Sequence, residues 1–358
     1  MSNSLHIGLV GPLPPPSGGM ANQTLQLAKL LREENIAVEL VQTNAAYKPS
    51  WIEKIPVLRA MFRLMFYMIN LWSVAGRVDL FHIMANSGWS WHLFTVPAVW
   101  IAKLRGVPTV INYRGGEAEK FFSKSFRYVK PTLNASSRVV VPSRFLEEVF
   151  SKRGVATQII ANIIDLDRFN VTENKAKEYS PHLLVTRNLE LIYDNETAIK
   201  AFNEIITSYP NAHLTIAGTG PELANLKALV EQLELSQQVM FTGRVDTQHM
   251  PALYQSADVM INPSRVDNMP NSILEALASG IPVVTTNVGG IPYMVEHGKT
   301  AVFVAPEDYK SMASAIVKVL EDKQYQQDLV SSGLLLVKQF SWSEVSLHWL
   351  SLYKKLAA

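Results

Sequence analysis

The chain has 358 residues, of which 48% are hydrophobic and 18% charged, and it contains no cysteine. This composition excludes a disordered chain, a fibrous protein, a disulfide framework and every site built on a cysteine thiolate. Lys and Arg number 33 against 31 Asp and Glu, a net charge of +2, which argues against a dedicated nucleic-acid binder.

Short apolar runs alternate with helix-length segments along the chain. Strands are predicted at Leu5–Val10, Val38–Gln42, Leu80–Met84, Val107–Asn112 and Arg138–Val141, with a helix at Gln23–Leu31 after the first. After the polar stretch Asp167–Ser180, read as a linker, strands follow at His182–Thr186, His213–Ala217, Val239–Thr242, Asp258–Asn262 and Val283–Thr286. This alternation predicts an α/β protein of two Rossmann-like domains facing each other across a cleft, with ligands at the carboxyl ends of the strands.

The charges divide unevenly between the two halves. Residues 1–165 carry 18 Lys and Arg against 10 Asp and Glu, a net of +8, and residues 166–358 carry 15 against 21, a net of −6, so that the halves sum to +2. The first half therefore favours an anionic partner, such as a phospholipid surface or a phosphorylated acceptor, and a chance imbalance between two solvated surfaces is the alternative.

The most apolar segment runs from Ile55 to Gly76 and contains a predicted helix at Pro56–Ala75. Its longest charge-free run, Leu64–Gly76, has 13 residues and is too short to cross a bilayer. Polar side chains fall on one helical stripe, and the rest of the helix is covered by Phe62, Phe66, Met68, Leu71 and Trp72. The helix either packs in the core or lies on a membrane surface. The beginning, MSNSLHIGLVGP, has no signal-peptide pattern, so a cytoplasmic protein is expected.

Two glycine-containing loops follow predicted strands. Gly18 and Gly19, after the first strand, would let the backbone approach a phosphate at a helix N-terminus, and a tight turn without ligand is the alternative. The run Gly218–Glu222 has the same two readings, with Pro221 suited to the first helical position.

The segment NPSRVDNMPNSILEALASG, residues 262–280, carries the strongest signal. Asp267 lies in the loop after a strand, and Glu275 lies eight positions later on a helix predicted to begin near Asn271. The amides of Asn271, Ser272 and Ile273 are expected as donors to a diphosphate. Glu275 could accept hydrogen bonds from the vicinal hydroxyls of a ribose, and Asp267 from sugar hydroxyls beyond the phosphates.

At these segments the chain resembles glycosyltransferase family 4, the retaining group 1 enzymes of GT-B fold. The resemblance rests on SGGM in the first loop, VVVPS at 139–143, NIIDLDRF at 162–169, IAGTGPE at 216–222, FTGRV at 241–245, the segment 263–280, GGIP at 289–292 and a last helix beginning FSWSEV. It implies an acceptor-side domain, 1–168, completed by a C-terminal helix at about 341–358 that crosses back to it, and a nucleotide-sugar-binding domain, 169–340.

The resemblance assigns roles to particular residues. Asp267 and Glu275 take the positions of two acidic residues that contact the donor sugar and the nucleotide ribose, and Asp267 replaces the usual Glu. Arg187 matches the phosphate-binding Arg, a role that suits a bidentate, permanently charged guanidinium. The full expected donor site consists of Gly18, Gly19, Arg187, Asp267, Asn268, Met269, Asn271, Ser272 and Glu275.

Two departures concern positive charge. The family usually places a Lys six positions after the phosphate-binding Arg, where this chain has Tyr193, and its His in the first domain corresponds to Arg114. We hypothesise that Arg114 supplies the missing charge to the donor phosphates, which makes Arg114, Arg187 and Asp267 the expected catalytic residues. His82, at the end of a strand, is read as a structural histidine, with an acceptor contact as the alternative.

The family implies retaining, metal-independent transfer of a sugar from a nucleotide diphosphate sugar, such as a UDP- or GDP-sugar, with no cofactor. The expected acceptor is a saccharide, lipid-linked, in cell-surface polysaccharide or lipopolysaccharide synthesis at the inner face of the cytoplasmic membrane. No nucleic-acid partner is expected, and Asp165 and Asp167, despite their Asp-x-Asp spacing, are not expected to bind metal. The alternatives are a non-catalytic nucleotide-sugar-binding partner of an assembly complex and a nucleotide-sugar epimerase of the same fold.

Overall fold

A computed structural model of the chain describes residues 5–15, 18–45, 56–171 and 180–357, except for the side chains of residues 56–59. Pro16 and Ser17 of the first glycine loop, residues 172–179 of the predicted linker and the first four residues lie outside the described residues. The chain divides into two compact units, which are Met1–Asn162 with Val345–Ala358, and Ile163–Glu344.

The strands are β1 (His6–Gly11), β2 (Ala37–Gln42), β3 (Leu80–Ala85), β4 (Thr109–Tyr113), β5 (Arg138–Val141), β6 (Gln158–Ile159), β7 (His182–Val185), β8 (His213–Ala217), β9 (Val239–Gly243), β10 (Val259–Asn262), β11 (Val283–Thr286) and β12 (Val302–Val304). The helices are α1 (Gly19–Glu33), α2 (Pro56–Val74), α3 (Val96–Leu104), α4 (Ala118–Ala135), α5 (Arg144–Ser151), α6 (Asn195–Ile205), α7 (Leu223–Gln232), α8 (Met250–Ser256), α9 (Asn271–Ala278), α10 (Tyr309–Glu321), α11 (Lys323–Val337) and α12 (Trp342–Ala357).

Each unit is built on a six-stranded sheet of parallel strands. The strand order is β2-β1-β3-β4-β5-β6 in the first unit and β12-β11-β10-β7-β8-β9 in the second. The order reverses beside β1 in the first unit and beside β7 in the second. Open parallel sheets bind ligands at the carboxyl ends of the strands beside such a reversal. The predicted α/β class is confirmed, and the reversal points locate the edge at which a site is expected.

The central strands of each sheet are covered on both faces, since consecutive apolar side chains along them are buried. Ile7, Leu9 and Val10 of β1 and Leu183, Leu184 and Val185 of β7 are fully buried. Such continuous apolar runs are what a parallel sheet with helices on both faces requires. Side-chain caps set helix starts at Ser143, Asp308 and Asp322.

Helix α2 packs by one stripe and exposes apolar side chains elsewhere. Tyr67, Leu71 and Val74 are buried, at the i, i+4, i+7 spacing of one helix face. Phe66 and Trp72 are each 48% exposed. The predicted core packing is confirmed for this one stripe, and the predicted contact of the exposed part with a membrane stays a prediction. No helix within the described ranges is long and apolar enough to cross a membrane.

The C-terminal helix packs on the first unit, as predicted. Trp349 and Tyr353 of α12 are fully buried there against His82 of β3, with ring centroids 4.6 and 5.9 Å away. The last helix of the chain is thus part of the first unit's core.

Candidate active site

The reversal point of the second sheet brings together the two residues that the sequence analysis placed at the donor phosphates and sugar. Strands β7 and β10 are neighbours, Arg187 follows β7, and Asp267 lies in the loop after β10. Nη2 of Arg187 lies 2.5 Å from Oδ2 of Asp267, and the two side chains are 12% and 11% exposed. This ion pair is the centre of the candidate site.

Besides its ion pair with Asp267, Arg187 makes a cation–π contact and a hydrogen bond. Its guanidinium lies over the ring of Tyr193, 4.0 Å from the centroid, and its Nη1 reaches Oγ of Ser272 at 3.5 Å. Its Nε is buried with no hydrogen-bond partner among the described residues. A buried guanidinium donor without a partner is uncommon and points to a functional group, since structural polar atoms are normally paired.

Asp267 is held from the opposite side. The buried Oγ of Ser264 lies 3.2 Å from Oδ2 of Asp267 and 3.0 Å from Oδ1 of Asn262, so that its one proton is shared between these two acceptors. The amide of Asn268 donates to Oδ1 of Asp267 at 3.0 Å. Asn268 and Met269 are themselves buried. Both carboxylate oxygens are therefore positioned, and the loop that carries them is anchored to the protein interior.

Glycine loops clamp the backbone behind both residues. A Cβ at Gly218 would lie 2.1 Å from the carbonyl oxygen of Arg187, and one at Gly290 would lie 1.8 Å from that of Asn268. Gly289, at φ +53, lies equally close to the carbonyl oxygen of Asp267, at 1.9 Å. Glycine is needed at these positions because another backbone segment lies where a side chain would be. The Gly218–Glu222 and GGIP segments therefore pack directly against the backbone of the loops that carry Arg187 and Asp267.

Helix α9 begins beside this pair. It has no side-chain cap and no acidic residue in its first turn, so its positive N-terminal end is not neutralised from within. The expectation that the Ile273 amide is a donor to a ligand is wrong, because that amide donates to the carbonyl of Pro270 at 3.2 Å. Asn271 and Ser272 remain the expected donors at this helix end.

Glu275 lies one turn into α9 and is held by a buried tyrosine. Tyr254 donates from its hydroxyl to Oε2 of Glu275 at 2.9 Å, which leaves Thr186 as the donor to the Tyr254 oxygen at 2.8 Å. Burial raises the pKa of Glu275, and the Tyr254 hydrogen bond with the charges of Arg168 and Arg187 partly offsets that rise. Oε1 of Glu275 has no hydrogen-bond partner among the described residues, so it remains available to a ligand hydroxyl.

The position of the missing Lys holds no replacement cation. Tyr193 ends a short 3₁₀ turn, and the next residue, Asp194, is left-handed at φ 46 and buried. The Asp194 carboxylate accepts from Nη2 of Arg265 at 3.0 Å, and Nε of Arg265 pairs with Glu307 at 3.2 Å. Arg265, two positions before Asp267, is therefore already engaged by two acids.

In the first unit, Gly18 and Gly19 lie at the start of α1, where Gly18 is the extended N-cap residue. A Cβ at either position would meet no atom within 4 Å. Steric crowding by the described residues therefore does not explain these two glycines, and their role in phosphate binding stays a prediction.

Arg114 follows β4 and is bound by neutral groups. Its Nη1 donates to the Asn162 side-chain oxygen at 2.5 Å and to that of Gln23 at 3.5 Å, and its Nε donates to Oδ1 of Asn112 at 3.3 Å. Its positive charge has no acidic partner within the described residues. Burial lowers the pKa of Arg114 to about 10, so the side chain stays charged at neutral pH.

Behind Arg114, His82 is a buried structural group whose tautomer the network fixes. Because Oδ1 of Asn112 accepts from Arg114, its amide donates to Nε2 of His82, at 3.0 Å. Nδ1 of His82 therefore carries the proton and donates to the hydroxyl of Tyr353 at 2.6 Å. Burial, with the charge of Arg114, lowers the pKa of His82 to about 3.

The structure thus groups Arg187, Asp267 and Ser272 at one point and places Glu275 one helical turn away. The sequence analysis missed the buried partners Tyr254 and Ser264. Neither gives a sequence signal, because a single Tyr on a short helix and a Ser after a strand are common; only their buried positions reveal them.

Comparison with known proteins identifies the family. Residues 17–168 match the family model for "Glycosyltransferase Family 4", and residues 168–334 match the one for "Glycosyl transferases group 1". The chain is 27% identical over 263 residues to a glycogen synthase of Mycobacterium tuberculosis, an alignment that covers 70% of this chain and 64% of that protein.

A second relative is a mannosyltransferase whose name gives both its donor and its acceptor. The chain is 31% identical over 169 residues to the GDP-mannose-dependent alpha-(1-6)-phosphatidylinositol monomannoside mannosyltransferase of M. tuberculosis, which covers 45% of this chain and 42% of that protein. The chain spans 64% and 42% of the lengths of these two curated relatives.

Among solved structures, HepE of Anabaena, crystallised with UDP and glucose, superposes with a TM-score of 0.77 at 19% identity. The superposition covers 97% of this chain and 99% of HepE. At this identity the likeness shows the fold, and it confirms the predicted two-domain GT-B fold.

Proposed function

Because the chain belongs to the group 1 glycosyltransferases of family 4, we propose that it transfers a sugar from a nucleotide diphosphate sugar to a saccharide acceptor with retention of the anomeric configuration. The observation that carries the proposal is the pair formed by Arg187 and Asp267 at the reversal point of the second sheet. A cation for the diphosphate and an anion for the sugar hydroxyls lie side by side at the edge where such sheets bind ligands.

The residues of the second unit divide the donor between them. Glu275, with Oε2 held by Tyr254, accepts hydrogen bonds from the ribose hydroxyls through Oε1. Arg187 and the amides that begin α9, at Asn271 and Ser272, bind the diphosphate. Asp267 accepts from the hydroxyls of the transferred sugar.

The chemistry needs charge stabilisation more than proton transfer. The bond between the anomeric carbon and the diphosphate oxygen breaks, and the acceptor hydroxyl oxygen forms the new bond to that carbon from the same face. The proton of that hydroxyl leaves with the released nucleoside diphosphate. Negative charge grows on the leaving oxygen in the transition state, where the buried guanidinium of Arg187 stabilises it. The proposed reaction is metal-independent and takes no cofactor.

Arg187 begins this cycle bound to Asp267. Their side chains are about one-tenth exposed, so an ion pair here forms in a partly desolvated place. Donor binding replaces Asp267 by phosphate at the guanidinium and gives Asp267 the sugar hydroxyls. The resting pair thus keeps both charges compensated until the donor arrives.

We propose a lipid-linked saccharide as the acceptor, in cell-surface polysaccharide or lipopolysaccharide synthesis at the inner face of the cytoplasmic membrane. The M. tuberculosis relative that uses phosphatidylinositol monomannoside supports this class of acceptor. The net charge of +8 on residues 1–165 favours an anionic carrier such as a lipid diphosphate.

The test is turnover with a panel of UDP- and GDP-sugars, in the presence and absence of a bacterial lipid extract, with nucleoside diphosphate and labelled lipid both measured. Sugar transfer that needs the extract supports the proposal. Conversion of the donor without any acceptor would identify an epimerase instead. Donor binding without product across all acceptors would identify a non-catalytic binding partner.

A further inference from the structure

The first unit carries an exposed surface that the donor site does not use. Large apolar side chains of three consecutive helices, α2, α3 and α4, are between 39% and 75% exposed: Met61, Met65, Phe66, Met68, Ile69, Trp72, Trp100, Leu104 and Tyr128. We call this set the aromatic face. Soluble proteins rarely leave so many large apolar side chains exposed together, and such patches mark interaction surfaces.

Direct contacts join the three helices. Arg105, just after α3, lies over the ring of Trp72 on α2, 4.9 Å from its centroid. Trp100 of α3 donates from Nε1 to Oγ1 of Thr132 on α4 at 3.2 Å, and Tyr128 lies one turn before Thr132. The aromatic face is therefore continuous from α2 to α4.

A cationic side chain lies over each exposed aromatic ring of this face except that of Phe66. Besides Arg105 over Trp72, Lys103 lies 5.2 Å from the ring centroid of Trp100, and Arg127 lies 4.5 Å from that of Tyr128. Aromatic rings paired with cations combine an apolar body with a charged tip, which is the composition of a protein surface at a lipid headgroup layer.

The charge of this region is predominantly positive. Helices α2 and α3 contain no Asp or Glu, and α4 contains only Glu119, in its first turn. Lys124, Arg127 and Lys130 of α4 are exposed. A surface with this excess of cations favours an anionic surface over a second copy of this chain or another protein of mixed charge.

We propose that the aromatic face is a membrane-binding surface, which docks the first unit on an anionic phospholipid bilayer. Phe66, Ile69 and Trp72 enter the boundary between headgroups and acyl chains, while Lys103, Arg105 and Arg127 contact phosphate groups. The inference deepens the proposed function by naming the surface on which the lipid-linked acceptor is met.

Vesicle co-sedimentation without donor or acceptor tests this surface separately from catalysis. Wild-type protein is mixed with vesicles of phosphatidylcholine alone, or of phosphatidylcholine with phosphatidylglycerol. Binding is expected to the anionic vesicles only and to weaken with salt. Each charge removed in Lys103→Gln, Arg105→Gln and Arg127→Gln is expected to lower affinity about fivefold at low salt.

The apolar part is tested by the triple variant Phe66→Ser, Ile69→Ser, Trp72→Ser, which is expected to lose vesicle binding. Its matched control is Leu335→Ser with Leu347→Ser, because these leucines are 65% and 63% exposed but lie outside the aromatic face. Circular dichroism and thermal unfolding of every variant confirm that it is folded. The control is expected to bind as the wild type does.

The inference would be overturned by no binding of wild type to anionic vesicles, by equal binding to phosphatidylcholine alone, or by equal loss of binding in the leucine control. A dimer in solution that the triple variant dissociates would also overturn it, since a second copy would then cover the face. Loss of vesicle binding with full donor turnover in detergent supports the inference and leaves the proposed reaction intact. Vesicle binding without any turnover supports the membrane-binding surface and contradicts the proposed glycosyl transfer.

Discussion

The guanidinium of Arg187 and the carboxylate of Asp267 lie 2.5 Å apart across neighbouring strands, although 80 positions separate them in the chain. The reversal of strand order between β7 and β10 causes this meeting. The pair compensates both charges where the donor is proposed to bind, and each partner is proposed to contact a different part of the donor.

Replacing Arg187 tests the diphosphate contact. Arg187→Ala is expected to lower kcat by about 10²- to 10³-fold, because it removes the charge that stabilises the leaving group and leaves Asp267 buried without its partner. Arg187→Lys keeps the charge but not the bidentate geometry, and its kcat is expected to lie between those of wild type and Arg187→Ala. Steady-state kinetics measure both, with the exposed Arg144→Ala as control. Unchanged kcat in Arg187→Ala contradicts the assignment.

Tyr193 is expected to support Arg187 by stacking under it, at the position where the family resemblance predicts a Lys. Tyr193→Ala should weaken donor binding about tenfold, from the loss of a partly desolvated cation–π contact, and Tyr193→Phe should retain it. Tyr193→Lys adds a second cation and is expected to tighten binding of the nucleoside diphosphate. Calorimetric titration measures all three, and equal affinity of the Ala and Phe variants would refute the stacking role.

Glu275 is expected to lower the stability of the ligand-free protein at neutral pH and to contribute to donor binding. Its folded-state pKa is raised above the usual value, so the folded protein binds this proton more tightly than the unfolded chain, and stability is lost as pH rises through that interval. Glu275→Gln should therefore raise the Tm of the ligand-free protein at pH 7 while it weakens donor binding. Differential scanning calorimetry with and without nucleotide measures both; a lower Tm without ligand would contradict the burial argument.

Arg114 remains a predicted catalytic residue. Its charge is held by neutral amides of Asn112, Asn162 and Gln23, an arrangement that keeps a cation in place without neutralising it. Arg114→Ala is expected to cut turnover severely, and Arg114→Lys to restore part of it. Near-normal turnover in Arg114→Ala, measured in the same assay as exposed Lys227→Ala, would remove Arg114 from the mechanism.

His82 makes the first unit sensitive to acid. Burial lowers its pKa from 6.5 in the unfolded chain to about 3, so stability is present above pH 6.5 and is lost as pH falls toward 3. The contribution lost by pH 5 is about 2 kcal/mol. His82→Gln should remove that part of the pH dependence between pH 8 and 5. Urea unfolding at both pH values measures the free energy of unfolding of wild type and variant. An equal difference between pH 8 and pH 5 in the two proteins would show that His82 is not the titrating group.

The strand–helix alternation was sufficient to predict both sheets, because parallel strands buried on both faces read as short apolar runs. Strands β6 and β12 were not predicted, since Gln158–Ile159 and Val302–Val304 have two and three residues and give no pattern. Their pairing with β5 and β11 depends on the tertiary fold alone.

For the site, the sequence indicated Arg187, Asp267 and Glu275 but not their contacts. The ion pair depends on strand order, and the Tyr254 hydrogen bond on how α8 packs beside α9. From the sequence, Tyr193 indicates a missing cation, and only the structure shows its ring under Arg187. Residue type and spacing predict candidates, whereas distances between elements determine which candidates meet.

The most direct test of the central claim is a thermal-shift panel of UDP, GDP, ADP and their sugar conjugates on wild type, Glu275→Ala and the control Arg144→Ala. One nucleotide family is expected to raise the Tm of wild type and control, and this shift is expected to be lost in Glu275→Ala. If no nucleotide raises the Tm, or if the shift persists in Glu275→Ala, the donor site is not where this account places it.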